Sequence, residues 1–80
     1  MRIQILLFAS ARERLKRESI HLEVSAPPTL SQLRAWVEEE HPLLKGLKGR
    51  WAVNREFARN EKVIVREGDE IAWIPPVCGG

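Results

Sequence analysis

Between Pro27-Pro28 and His41-Pro42 lies one segment whose apolar spacing suits a helix with a single buried side, and it decides how the chain can be layered. Leu30, Leu33 and Val37 recur at helical spacing with Trp36 beside them, while Arg34, Glu38 and Glu39 fall outward. Thr29 and Gln32 have the spacing of a capping box, and the residue before Pro42 is where a helix stops. The pattern predicts a main helix over about 30–40. In 80 residues there is room for one hydrophobic core, so the stripe needs one partner layer.

The remaining chain supplies a sheet. Arg2 to Phe8 is rich in branched residues, with Ile3, Ile5 and Leu7 on one side, which predicts a first strand over about 2–8. Ser10 followed by Glu13 gives a second capping signature, with Leu15 as apolar anchor, and predicts a short helix over about 10–17. Ile20, Leu22 and Val24 alternate with polar residues as a second strand. Trp51-Ala52-Val53, Val63-Ile64-Val65 and Glu70 to Ile74 read as the third, fourth and fifth, with polar turns around 54–56 and at Glu67-Gly68-Asp69. Leu43 to Gly49 is expected to be a loop with one helical turn. One main helix over one face of a mixed five-stranded sheet is an α+β chain of the β-grasp architecture, with the domain over 1–74 and a projecting tail over 75–80.

That tail, Pro75-Pro76-Val77-Cys78-Gly79-Gly80, has a stiff part and a slim part. Proline offers no amide hydrogen to a sheet ladder and favours polyproline II, so the chain is expected to leave the sheet at Pro75. Gly79 and Gly80 present a bare backbone strip tipped by a carboxylate, able to enter a tunnel that any Cβ would block. Side-chain parity adds a face. If the first and last strands are parallel neighbours, Leu6, Phe8, Ala72 and Ile74 lie together on the side away from the helix, where the tail departs. A contiguous apolar patch on a small domain marks a partner site; the competing possibility is that 43–49 folds over it.

Composition removes other functions. Ile5 to Ala9 is the longest apolar run, far short of the ~20 residues of a membrane span and unlike a signal peptide, so a cytoplasmic protein with no membrane partner is expected. The single cysteine, Cys78, excludes an intramolecular disulfide framework, and nothing near it lowers a thiol pKa for a relay role. His21 and His41 have no second ligand close in sequence, so no metal site is expected. From His41 to Arg66 seven basic residues face only Glu56 and Glu61, but no nucleic-acid signature accompanies them and nucleic acid is set aside as a partner. With two histidines and one cysteine, the chain has little from which to build its own catalytic site.

Nearly the whole chain resembles the small subunits of molybdopterin synthase, which are ubiquitin-like sulfur carriers. The resemblance is carried by Ile5-Leu6-Leu7-Phe8-Ala9 followed by Arg12-Glu13, by Ala52-Val53-Asn54, by Gly68-Asp69-Glu70, and most specifically by Ile74-Pro75-Pro76-Val77 leading into Gly79-Gly80. Cys78 departs from the small hydroxylated residue more usual there, and Trp73-Ile74 from the frequent aromatic pair. The resemblance implies that an adenylating (E1-like) enzyme uses ATP and magnesium to activate the Gly80 carboxylate, and that a persulfide sulfur donor converts it to a thiocarboxylate. It implies further that the carrier docks through Leu6, Phe8, Ala72 and Ile74 on the large synthase subunit, in a heterotetramer with two copies of each. The tail, Pro75, Pro76, Val77, Cys78 and Gly79, would thread into that subunit's active site. There the sulfur passes to cyclic pyranopterin monophosphate in molybdenum cofactor biosynthesis. On this reading the carrier is a non-catalytic, sulfur-donating subunit with no permanently bound cofactor. The residues leave other outcomes open: a sulfur carrier for thiamine or tRNA thiolation, a ubiquitin-like protein modifier, or an interaction domain whose terminus never reacts.

Overall fold

Strict alternation in the first strand sets the sheet. In the computed structural model, which describes residues 1–75, β1 (Arg2–Leu7) buries Ile3, Ile5 and Leu7 and turns Arg2, Gln4 and Leu6 the other way. It pairs antiparallel with β2 (Ser19–Glu23), which contributes Ile20 and Leu22 to the same core. On its other side it pairs in parallel with β5 (Ile71–Ile74), in the register Ile5 to Ile71, Leu6 to Ala72 and Leu7 to Trp73. β3 (Arg50–Val53) lies antiparallel beside β5, and β4 (Glu56–Phe57) closes the edge. The sheet therefore runs β2-β1-β5-β3-β4, with the first and last strands adjacent in its interior.

The main helix, α2 (Leu30–Glu40), lays Leu30, Leu33 and Val37 on the sheet. Its capping box forms as expected: the Gln32 amide donates to the Thr29 hydroxyl at 3.2 Å and the Thr29 amide donates to the Gln32 side chain at 2.8 Å. His41 ends it, and a 3₁₀ turn at Pro42–Leu44 supplies the single helical turn expected of that segment. This turn packs against both helices, with Leu44 buried under the helix layer. It closes the core, and the opposite sheet face stays open.

Two elements differ from the sequence expectation. The run Val63-Ile64-Val65 alternates as a strand does, with Val65 buried and Ile64 exposed, yet it makes only an isolated bridge between Ile64 and Thr29. Its backbone is satisfied by the lead-in to α2: the Leu30 amide donates to the Val63 carbonyl and the Val65 amide to the Pro28 carbonyl. The remaining sheet strand is the two-residue β4, in a stretch read as a polar turn and its continuation. The short helix, α1 (Ala9–Leu15), starts earlier than expected, with Phe8 and not Ser10 at its N-cap and no side-chain cap. Phe8's carbonyl accepts from the amides of Ala11 and Arg12, and the fully buried Ala11, more than the partly buried Leu15, sets the helix phase.

Candidate partner-docking site

The open face of the sheet carries a short apolar trough. Residues paired across neighbouring strands share a face, so the register Leu6 to Ala72, Ala72 to Ala52 and Ala52 to Phe57 makes one row over β1, β5, β3 and β4. Three strand spacings give it a length of about 14 Å. The two inner positions are alanines and the two outer ones are large, so the row has a floor and two walls. Phe8 and Ile74 extend it toward the end of β5, and the resulting groove encloses about 260 Å³. Phe8 is 39% and Phe57 52% exposed, a large apolar outlay for so small a domain. The other end of the same face is polar: Gln4 lies opposite His21, and Arg2 opposite Glu23.

Cations frame the trough. The guanidinium of Arg50 lies 4.0 Å from the centre of the Phe57 ring, and that of Arg12 lies 5.9 Å from the centre of Phe8. At its far end Arg55 and Glu70 approach at 3.5 Å, an exposed pair of small energetic weight.

The β3–β4 turn that sets Phe57 in place is held from outside. Asn54 and Arg55 both have positive φ, 53° and 70°, as a two-residue hairpin of the tightest kind requires. Arginine resists that conformation, and a polar knot holds it. The Asn54 amide donates to the Glu70 carbonyl at 2.7 Å, the Glu70 amide donates to the Asn54 side-chain oxygen at 2.9 Å, and the Asn54 side-chain nitrogen donates to Asp69 at 3.0 Å. Asp69 also accepts from the Arg66 amide at 2.8 Å. That amide first, then Asn54, hold the Asp69 carboxyl below its ordinary value of 3.8, with a smaller contribution from the charge of Arg66; burial opposes them weakly. A depressed carboxylate stabilises the fold above its unfolded pKa, and the contribution is lost as pH falls through the folded value. Asp69→Asn is therefore expected to be less stable than the parent at pH 7, with the difference shrinking as the pH falls below about 4 in chemical denaturation. A stability gap that stays constant down to about pH 2 would show that the carboxylate charge plays no part.

Of the residues singled out from sequence, the structure brings Leu6, Phe8, Ala72 and Ile74 together on the open face, at the C-terminal ends of two parallel strands. Ala52 and Phe57 complete the trough and were not anticipated. The available signal was the Asn54-Arg55 pair between Val53 and Glu56, which lacks the glycine that marks such hairpins. Pro75 is fully buried, so any projecting tail starts no earlier than the next residue. Pro76, Val77, Cys78, Gly79 and Gly80 lie outside the described residues. Among those described, no helix is long and apolar enough to cross a membrane.

A mixed sheet of this order, covered by one main helix and open on its other face, defines a ubiquitin-like β-grasp domain. A structure of the small archaeal modifier protein SAMP1 from Haloferax volcanii superimposes with a TM-score of 0.85 over the whole of both chains, at 24% identity, a likeness of fold alone. The chain belongs to the ThiS family, whose profile matches residues 5–80. It is 32% identical to the molybdopterin synthase sulfur carrier subunit of Chlamydomonas reinhardtii, over all of both chains. It is 31% identical to the human protein of the same name, over 98% of this chain and 93% of that one. A complex of subunits 1 and 2 of the molybdopterin-converting factor from Helicobacter pylori contains a chain that matches with a TM-score of 0.73 and 28% identity, over all of both chains.

Proposed function

We propose that the chain is the sulfur carrier subunit of a molybdopterin synthase, acting through its Gly80 carboxylate and docking by the open-face trough. The observation that carries this reading is the trough itself, an apolar row from Leu6 to Phe57 extended by Phe8 and Ile74, placed at the strand end that leads into Gly79-Gly80. Full-length likeness to sulfur carrier subunits, and the Helicobacter pylori complex of two different subunits, support a large synthase subunit as partner.

A carboxylate is a poor electrophile, so the chemistry begins with activation. An E1-like enzyme, holding ATP and magnesium, joins a Gly80 carboxylate oxygen to the α-phosphorus with release of pyrophosphate. The terminal sulfur of a persulfide displaces AMP from the acyl carbon, and a thiol cleaves the sulfur–sulfur bond to leave a thiocarboxylate. In the large subunit this sulfur attacks a carbon of the pterin precursor, cyclic pyranopterin monophosphate, as that carbon's bond to oxygen breaks and the oxygen leaves, and water then cleaves the bond between the acyl carbon and sulfur to restore the carboxylate. Every acid, base and nucleotide-binding group in that scheme belongs to a partner, which suits a chain so poor in catalytic side chains.

The test is intact-mass analysis after incubation with the activating enzyme, ATP and a persulfide donor, followed by copurification with the large subunit. One oxygen replaced by sulfur, together with a stable complex that converts the pterin precursor, is the expected result. A terminus that stays a plain acid under these conditions overturns the carrier reading. A loaded terminus that ignores the large subunit and joins lysines by isopeptide bonds, or serves a thiamine or tRNA pathway, redirects it to a different destination.

A further inference from the structure

The described glycines serve two different purposes. Gly46 and Gly68 have φ of +78° and +87°, and a methyl group added to either would have nothing within 4 Å, so they are there for backbone conformation at turns. Gly49 has no positive φ and has no space instead. A Cβ at that position would lie 2.9 Å from the carbonyl oxygen of Ile74 and 2.9 Å from both Cε2 and Cζ2 of Trp73.

Neither neighbour is free to withdraw. The Trp73 ring packs against the Trp51 ring, whose centroid is 4.8 Å away at an angle of 60°, and the guanidinium of Arg34 lies 5.1 Å from a ring centre. Arg34 in turn forms an ion pair with Glu61. The Ile74 carbonyl belongs to the last residue of β5, paired with Arg50 at the start of β3, and the next residue is the buried Pro75. Gly49 thus abuts the final rung of the sheet, at the peptide from which the tail continues. We propose that Gly49 is a positioning residue for the root of the tail: its missing side chain lets the chain close against Ile74, and this contact fixes the peptide between Ile74 and the buried Pro75 from which the tail continues. The proposal rests on the carrier reading for its consequence, since a reactive terminus entering a partner's site depends on where its root points. The docking trough occupies the other face and shares with this contact only the rung formed by Ile74 and Arg50.

In Gly49→Ala the methyl must push the 49–50 segment away from Ile74. The expected result is a folded protein whose Ile74 and Arg50 amides exchange faster with solvent than in the parent. Its adenylation by the activating enzyme should show kcat lowered roughly tenfold or more and a smaller change in KM, because misplacement of a reacting group by a fraction of its length is costly while Leu6, Phe8, Ala72 and Phe57 keep their places in the trough. Gly46→Ala is the control, three residues earlier in the same segment: it strains a turn at φ +78° with nothing within 4 Å of the added methyl, and is expected to keep the parent kcat while folded. If Gly49→Ala itself unfolds, Trp73→Phe in the same background removes the atom at Cζ2 and is expected to restore folding and part of the rate. Unchanged amide exchange at Ile74, an unchanged kcat, or an equal kcat loss in the Gly46→Ala control overturns the proposal. Failure of the parent itself to be adenylated sinks the carrier reading instead, and amide exchange then decides alone whether Gly49 holds the junction.

Discussion

Phe8→Asp is expected to separate stability from function, leaving the fold as stable as the parent while weakening the complex with the large subunit by at least about a hundredfold. Phe8 occupies the N-cap of α1 in an extended conformation and makes no side-chain cap. Phenylalanine is a poor choice there, because aspartate would accept from the amides at the helix start and stabilise by about 1 kcal/mol. Arg12, now set against the Phe8 ring, would pair with the new carboxylate at helical spacing. Against this stands the lost burial of a ring that is 39% exposed, also on the order of 1 kcal/mol. The two effects nearly cancel in the free domain. In the complex they do not, since an aromatic anchor at an interface contributes about 2–4 kcal/mol and a carboxylate buried in its place adds a desolvation cost. Titration calorimetry against the large subunit, alongside thermal unfolding, measures both. A binding constant within a few-fold of the parent would remove Phe8 from the docking surface, and the trough with it.

That a ring sits where a capping carboxylate would serve the helix better is itself an argument for function, and it shows what was legible in the sequence. Parity alone placed Leu6 and Phe8 opposite Ile5 and Leu7, because a period of two admits only one assignment once one face is buried. The same rule placed Ala72 and Ile74, and the helix over 30–40 was readable because its stripe, cap and stop agree. What stayed hidden depended on contacts between distant segments. Val63 to Val65 has a strand's alternation, but alternation does not name a partner, and the free backbone groups at the entry to α2 take it before the sheet does. Phe57 was missed for a related reason. Its hairpin holds Arg55 at φ 70° without a glycine, and what supports it is Asn54 bound to Asp69 and Glu70, fifteen and sixteen residues along the chain. The motifs Ala52-Val53-Asn54 and Gly68-Asp69-Glu70, two of those on which the resemblance in sequence rests, meet in this knot beside the trough. They brace the wall of the trough, at the end of β5 away from the proposed reactive terminus.

Deletion of Gly80 is expected to give the converse phenotype: sulfur loading abolished and docking kept. A chain ending at Gly79 is shorter by about 3.3–3.6 Å, comparable to the whole approach distance of about 3–3.5 Å that reacting atoms require. The rest of the tail does not supply the difference, because a proline ring fixes its own φ and the Pro75 ring is buried at the tail's root. Adenylation of the truncated chain should fall by roughly a thousandfold or more, toward the uncatalysed background. Its trough is unaltered, from Leu6 across to Phe57, so its affinity for the large subunit should stay close to the parent's. An unreactive carrier that still docks is a competitive inhibitor. Added to a working synthase, it should raise the apparent KM for the loaded carrier and leave kcat unchanged, whereas Phe8→Asp added in the same way should do nothing. Sulfur loading of the truncated chain at a sizeable fraction of the parent rate would show that Gly80 is not the reacting residue. Failure to compete would show that binding resides in the tail and not in the sheet. The pair of variants thus assigns recognition and chemistry to separate parts of one small domain, each by an assay in which the other variant behaves like the parent or is silent.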